Sequence, residues 1–136
     1  MQVDVRNLKA LKYMRIWWSV SFLMVAGVYA VCLMPIQGPI SGPEYADKIW
    51  HFVTYVMVML WFSQLYHPRV QRWILLGVIL MGFSIECLQA LTPWRSFELM
   101  DMVANISGAI LGAWMARSEL HQFLFNIEAR WQKRSV

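Results

Sequence analysis

The sequence predicts an all-α, polytopic membrane protein with four transmembrane helices and a C-terminal amphipathic helix at the membrane interface. Hydrophobic residues make up 59% of the 136 residues and charged residues only 15%, whereas soluble domains carry about 45–50% apolar and about 25% charged residues. Four apolar segments alternate with turn-forming residues. Most Lys and Arg residues also fall on one side of the resulting topology, which is typical of a membrane protein.

The four apolar segments define the predicted spans, and a chain of this length is expected to form one domain, residues 1–136. We predict spans at about 16–34, 49–66, 73–91 and 102–117. Pro35, Pro68 and Pro93 follow the first three, because proline cannot continue a helix. The fourth is the shortest, since crossing a bilayer core takes about 20 residues. The first exceeds the apolar core of a typical signal peptide, so we interpret it as an uncleaved span.

The positions of the basic residues predict the orientation. If the N-terminus lies inside, ten of the twelve Lys and Arg residues fall in inner segments, and only Lys48 and Arg95 fall in outer ones. Because basic residues favour the cytoplasmic side, we predict a multi-pass protein of the bacterial cytoplasmic (inner) membrane with both termini in the cytoplasm. Topology thus accounts for the net charge of +4, and we expect membrane lipids, not nucleic acid, as partners.

The tail, residues 118–136, is predicted to form an amphipathic helix. Its apolar positions recur at helical spacing, and the positions between them are polar or basic. The apolar residues are Leu120, Phe123, Leu124, Ile127 and Trp131. Such a helix is expected to lie on the inner membrane surface; the alternative is a cytoplasmic helix that binds a partner protein.

Ionisable residues gather at the predicted outer ends of three spans. Asp47 and His51 lie four residues apart at the start of the second span, so they share a helix face that Tyr55 continues one turn deeper. Lys48 is their neighbour, and Arg95 lies in the loop between the third and fourth spans. The sequence therefore predicts a polar site near the outer face of the bilayer.

The third and fourth spans contribute the rest of this site. Glu86 and Gln89 lie three residues apart near the outer end of the third span, and Asp101 and Asn105 lie four apart at the start of the fourth. Ionisable residues inside a membrane span are costly and are usually functional. Below the polar residues, Gly82 and the G-x-x-x-G pair Gly108 and Gly112 predict close helix packing.

Each polar residue also has a structural interpretation. Asp47 and Asp101 suit the positive N-terminal ends of their helices, and His51 can be an interfacial histidine with its hydrogen bonds satisfied. Gln89 and Asn105 suit hydrogen bonding between helices, while Lys48 and Arg95 suit anchoring at the interface. Glu86 is the hardest to explain in this way, because a carboxylate at that depth needs a partner or a raised pKa.

The two cysteines, Cys32 and Cys87, lie in apolar segments without metal-binding spacing. Free buried thiols are the favoured interpretation, because cysteine behaves as a small hydrophobic residue when buried. Both fall toward outer helix ends, so a disulfide in an oxidising compartment is the alternative.

In this order and spacing, the motifs resemble the VanZ-like family. They are Asp47-Lys48-x-x-His51-Phe52 with Tyr55, Glu86-x-x-Gln89, Pro93 with Arg95, and Asp101 with Asn105, Gly108 and Gly112. Many members carry an acidic residue directly before this aspartate. Here that position is Met100, so Glu98 would have to replace it. The resemblance implies a role in the cell envelope, since the family's namesake is linked to teicoplanin resistance, and therefore to an antibiotic acting on lipid-linked wall precursors.

Two functions follow from these residues. In the first, an enzyme acts on a lipid-linked substrate at the outer leaflet. His51, Glu86 and Asp101 would be catalytic, as general acids and bases or as ligands of a divalent metal. The other residues would bind the substrate, with Lys48 and Arg95 contacting a phosphate or carboxylate, alongside Asp47, Gln89, Asn105 and Tyr55.

In the second function, the same site binds an envelope precursor or a partner protein without turnover. A transporter is disfavoured, because the predicted inner halves of the spans carry no charge, unless the chain forms a homo-oligomer.

Overall fold

A computed structural model describes residues 11–35, 45–117 and 123–134, and these segments are predominantly α-helical. A short 3₁₀ turn at Pro68–Val70 precedes the third helix. The α-helices of these segments are α1 (Met14–Leu33), α2 (Tyr45–Leu65), α3 (Gln71–Gln89), α4 (Leu99–Met115) and α5 (Phe123–Arg134). The predicted all-α class is confirmed, and helices α1 to α4 begin and end within four residues of the predicted spans.

Two segments, Met14–Leu33 and Pro68–Gln89, are long and apolar enough to cross a membrane. Helix α4 is apolar but has only 17 residues, or about 25 Å at 1.5 Å per residue. Helix α2 has 21 residues but carries charges in its first turn. The segments that qualify are candidate membrane spans, and crossing by α2 and α4 stays a prediction.

Large apolar side chains cover much of the bundle surface. Phe22 is 73% exposed, Leu23 67% and Leu91 81%. Many exposed large apolar side chains of this kind are typical of a surface that faces another apolar phase, and this agrees with a membrane protein.

Polar contacts between helices establish an antiparallel arrangement. At one end, Gln89 Nε2 of α3 donates a hydrogen bond to the carbonyl oxygen of Cys32 near the end of α1, at 3.0 Å. At the other end, Gln71 Nε2 of α3 donates to the carbonyl oxygen of Ala113 near the end of α4, at 2.7 Å. The N-termini of α2 and α4 therefore lie with the C-termini of α1 and α3, at what we call the site end; the opposite end is the tail end.

Helices α2 and α4 pack closely because α4 presents glycine to α2. A Cβ atom at Gly108 would overlap the carbonyl oxygen of Phe52, and one at Gly112 would lie 2.8 Å from the carbonyl oxygen of Val56. Tyr55 and Met59 are buried beside this contact. The predicted close approach at the G-x-x-x-G pair is therefore confirmed, and it fixes the register of the two helices.

Helix α5 packs against the tail end of α1 and α2. Leu124 is 3% exposed and joins Leu11, Trp17 and Leu65 in a core cluster. Trp131 stacks on Trp17 with ring centroids 6.2 Å apart. Part of the predicted apolar face is thus covered by the chain itself. Contact with a membrane or a partner stays a prediction, and Leu120 lies outside the described residues.

Glu128 attaches α5 to the start of α1, a contact that the sequence did not indicate. Its carboxylate, in a side chain only 3% exposed, accepts hydrogen bonds from the backbone nitrogens of Lys12 at 2.7 Å and Tyr13 at 3.1 Å. It also accepts one from Trp17 Nε1 at 2.7 Å. Three donors therefore satisfy a carboxylate that burial would otherwise make costly.

The two cysteines are free thiols, as favoured above. Cys32 is half-buried, whereas Cys87 is exposed on the outside of α3. The prediction that both are buried is therefore wrong for Cys87, because its position faces away from the neighbouring helices.

We predict that Gly108→Ala destabilises the bundle, because the new methyl group meets the α2 backbone, which cannot move aside without separating the helices. Overpacking of this kind costs about 1–3 kcal/mol. Gly77→Ala in α3 is the matched control, since a Cβ there has no atom within 4 Å. Thermal unfolding in detergent measures both. Equal melting temperatures for the two variants would contradict the close contact.

We predict that Glu128→Gln releases α5 from α1. Glutamine offers one oxygen where the carboxylate uses two, and hydrogen bonds to charged groups contribute about 1.5–3 kcal/mol each. Limited trypsin digestion should then cleave at Arg130 much faster than in the unmodified protein. Asn126→Asp, on the exposed face of α5, is the control and should leave the digestion rate unchanged. Equal digestion of both variants would indicate that Glu128 does not hold the helix.

Candidate functional site

The N-terminal ends of α2 and α4 bring two aspartates and a histidine together at the site end. His51 Nε2 lies 3.6 Å from Asp101 Oδ2 and 4.0 Å from Asp47 Oδ2. His51 and Asp101 are buried, whereas the Asp47 side chain is 38% exposed. Because helix N-termini are electropositive, carboxylates are favourable in both first turns. Among the described residues, Asp47 and Asp101 contact His51, Arg95 and Lys48, and a capping role for each aspartate stays a prediction.

Asn105 orients the His51 ring. Its side-chain oxygen Oδ1 lies 3.1 Å from His51 Nδ1 in a buried contact. Since an amide oxygen only accepts hydrogen bonds, Nδ1 carries the proton in this pair. In a neutral imidazole, the lone pair is then on Nε2, which faces Asp47 and Asp101. The ring is thus held with its basic nitrogen directed at two carboxylates.

Two cationic side chains bridge these acidic groups. Lys48 Nζ lies 2.7 Å from Asp101 Oδ1 and also pairs with Glu98, while Arg95 donates to Asp47 Oδ2 at 3.2 Å. Lys48 precedes the span predicted at 49–66, and its hydrogen bonds to Asp101 and then Glu98 raise its pKa above the ordinary value. The Lys48 and Arg95 side chains remain 26% and 27% exposed, so they border the site on its open side.

Glu86 of α3 is fully buried next to this group. Its Oε2 accepts a hydrogen bond from the backbone nitrogen of Glu98 at 3.3 Å, which ties α3 to the start of α4. Its other oxygen, Oε1, has no hydrogen-bond partner among the described residues. A buried carboxyl with a free oxygen can exchange a proton with a bound molecule.

Buried polar atoms without a hydrogen-bond partner concentrate at this site. Within the described segments they are Tyr55 Oη, Glu86 Oε1, Asp101 Oδ1 and Asn105 Nδ2. Asp101 Oδ1 lacks hydrogen-bond geometry but keeps the ion pair with Lys48 Nζ. Leaving a buried polar group unpaired costs about 1–3 kcal/mol, so this concentration distinguishes the site from the rest of the bundle.

Most of the predicted residues converge, but Gln89 does not. Its side-chain nitrogen Nε2 donates a hydrogen bond to the Cys32 carbonyl oxygen of α1. This matches the structural alternative, in which Gln89 forms a hydrogen bond between helices. Its predicted role in substrate binding stays a prediction. Glu98 joins the site through Lys48, although the sequence named it only as a replacement for a missing acidic residue.

The ligand atoms suited to a metal also differ from the predicted set. One atom each from Asp47, His51 and Asp101 lie within 4.8 Å of one another. The sequence favoured Glu86 as the third member of this group, with His51 and Asp101. Glu86 is not one of these three residues, and its Oε2 accepts a hydrogen bond from the Glu98 backbone.

No curated protein sequence and no solved structure gave a significant match. A family model described as VanZ/LLP1 matches residues 3–126, which is nearly the whole chain and includes every residue of the site. The resemblance read from the motifs is therefore confirmed: this chain belongs to the VanZ/LLP1 family.

Proposed function

We propose that this protein crosses the bacterial cytoplasmic membrane four times, with both termini in the cytoplasm, and acts on a lipid-linked envelope precursor at the outer leaflet. The ten-to-two distribution of basic residues and the antiparallel helix arrangement support this topology. With α2 and α4 starting on the outside, the site end faces the outer leaflet, where the headgroup of a lipid-linked molecule can reach Lys48 and Arg95.

One observation carries the proposal of a reaction. The Glu86 carboxyl is fully buried, has one oxygen without a partner, and lies beside a histidine whose ring orientation is fixed by Asn105. General acid–base catalysis requires a proton-transfer group that is held in place and is not already occupied by other hydrogen bonds. We assign Glu86 as that group, with His51 and Asp101 completing the reactive centre.

The reaction class that suits these residues is hydrolysis by an activated water. The water oxygen would bond to the phosphorus or carbonyl carbon of the headgroup linkage while the leaving oxygen departs. Glu86 would take the proton from the water and return it to the leaving oxygen. Lys48 and Arg95 would compensate the negative charge of the headgroup, since cationic side chains bind phosphate and carboxylate well.

A second function, binding without turnover, is favoured by a different observation. Lys48 and Arg95 are already paired with carboxylates, so the charged groups form a largely closed network. A headgroup would replace one of these carboxylates as the partner of Lys48 or Arg95, and no covalent bond would be broken. In that case, Lys48 and Arg95 should matter more for ligand affinity than His51.

We predict that Glu86→Gln abolishes turnover while leaving the fold intact. The protein would be reconstituted in vesicles that contain a polyprenyl diphosphate, phosphatidylglycerol and phosphatidylethanolamine, with lipid products measured by mass spectrometry. General acid–base groups contribute about 10²–10⁴-fold, so the rate should fall at least about 100-fold. His67→Gln, exposed at the tail end, is the control. Full activity of the Glu86→Gln variant would refute the assigned role, and saturable binding without turnover by the unmodified protein would favour the second function.

We predict opposite accessibility for the two ends of the bundle. In a Cys32→Ala, Cys87→Ala background, a Ser96→Cys variant should react with a membrane-impermeant maleimide on intact spheroplasts. A His67→Cys variant should react only after the membrane is permeabilised. Both positions are exposed on the protein, so only the membrane would separate them. Labelling of His67→Cys in intact spheroplasts would contradict the proposed orientation.

A further inference from the structure

We propose that Asp47, His51 and Asp101 bind one divalent transition-metal cation, such as Mn²⁺ or Zn²⁺. The inference extends the proposed function, because it assigns an inorganic cofactor to the same site and so rests on that site being functional. One oxygen or nitrogen atom from each of the three residues lies within 4.8 Å of the others. Metal–ligand bonds of about 2.0–2.2 Å place neighbouring ligand atoms about 3.3–3.6 Å apart. The 3.6 Å and 4.0 Å separations from His51 Nε2 therefore need only a small inward movement.

The orientation of His51 supports a metal ligand. Because Nδ1 is engaged by Asn105 Oδ1, the lone pair of the neutral ring lies on Nε2 and faces two carboxylates. Without a cation or a proton between them, these three groups repel one another. Histidine ligands in metalloproteins typically have their other ring nitrogen held by a carbonyl or carboxylate oxygen, which fixes the tautomer in this way.

The charges of the site support a divalent ion. Lys48 and Arg95 pair with the carboxylates of Asp47, Glu98 and Asp101, and the fourth carboxylate, Glu86, contacts the Glu98 backbone. With these carboxylates ionised and His51 neutral, the described side chains of the site carry two more negative than positive charges, and Glu86 and Asp101 are buried while Asp47 and Glu98 are partly exposed. Buried charges are stable only when they are paired or bound to a metal, and one divalent cation supplies the missing charge.

A separate observation points to a bound ligand. Asn105 is 1% exposed, and while its Oδ1 holds His51, its Nδ2 has no hydrogen-bond partner among the described residues. The donor is therefore left beside the proposed ligands, where it can bind a water or headgroup oxygen coordinated to the cation. Glu86 Oε1, also buried and unpartnered, can accept a proton from such a water.

Three protein ligands leave coordination positions for water or substrate, as catalytic metal sites do. The mixed set of one imidazole and two carboxylates suits Zn²⁺ or Mn²⁺ better than Mg²⁺ or Ca²⁺, which prefer oxygen alone. Binding requires Asp47 to exchange Arg95, now at 3.2 Å, for the cation. Arg95 would then be released toward an anionic headgroup, so the metal would couple its own binding to that of the substrate.

The test is Mn²⁺ binding by the full-length protein in detergent, after treatment with EDTA. Electron paramagnetic resonance measures the loss of the free-ion signal during titration, and Mn²⁺ has little affinity for the two free thiols. We expect about one ion per chain, an affinity at least about tenfold weaker in His51→Gln and in Asp101→Asn, and displacement by Zn²⁺. His67→Gln should bind as the unmodified protein does.

The controls distinguish a folding defect from a lost ligand. Circular dichroism and the melting temperature without metal should be similar for His51→Gln and the unmodified protein. Arg95→Gln, which frees Asp47, should bind Mn²⁺ at least as tightly as the unmodified protein, although it removes a polar contact from the same site. If His51→Gln and Asp101→Asn bind Mn²⁺ like the unmodified protein, or if the unmodified protein binds none, the inference is overturned.

The outcome is separable from that of the proposed function, because Mn²⁺ binding is measured without any lipid substrate. Turnover of lipid by a protein that binds no Mn²⁺ or Zn²⁺ would overturn the metal site and leave the enzymatic proposal standing. Mn²⁺ binding at these three residues, without turnover of any lipid tested, would support the metal site and count against the reaction.

Discussion

The contact between α2 and α4 determines where the charged groups of the site can lie. Gly108 brings the α4 backbone against the carbonyl of Phe52, the residue that follows His51. Asn105 lies three residues before Gly108, and Asp101 lies one turn before Asn105. This single contact therefore sets the positions of both residues along the helix axis relative to His51. A larger residue at Gly108 would move α4 outward, and the 3.1 Å contact between Asn105 and His51 would be lost together with the packing.

Helix α3 completes the site through a second close contact. A Cβ at Gly82 would lie 3.0 Å from the Tyr55 hydroxyl, so α3 passes close to the ring of α2 and a larger residue would have to displace this side chain. One turn further along α3, Glu86 reaches the backbone of Glu98 at the start of α4. The site is therefore a product of helix packing, and small residues at crossing points are the main way in which membrane helices approach closely.

The sequence predicted the helices well because apolar segments and proline positions are local properties. The i, i+4 pairs Asp47 with His51 and Asp101 with Asn105 were also local, since spacing alone places each pair on one helix face. Which faces meet is a different question, because it depends on the rotation of each helix about its axis. Gln89 shares a helix with Glu86, yet its amide bonds α1, and no spacing rule within α3 could distinguish these two directions.

Contacts made from a loop, or between the two ends of the chain, were the hardest to predict. Glu98 lies outside any periodic segment, and its pairing with Lys48 depends on the path of the loop after α3. Glu128 was treated as one polar position of an amphipathic tail, because its sequence neighbours do not reveal that it faces the start of α1. In both cases the partner is distant in sequence, at 50 and at more than 110 positions.

The two buried glutamates, Glu86 and Glu128, differ in how far their surroundings satisfy the carboxylate. Glu128 receives three hydrogen bonds from Lys12, Tyr13 and Trp17. Both of its carboxylate oxygens are therefore hydrogen-bonded, and these bonds hold α5 against α1. Among the described residues, Glu86 receives one backbone hydrogen bond, and its Oε1 has no partner. The unpaired oxygen costs stability unless another molecule contacts it. Natural proteins depart from full polar satisfaction mainly at functional sites, so the unequal hydrogen bonding of Glu86 and Glu128 is the reason why the proposed function is assigned to the site end and not to the tail end.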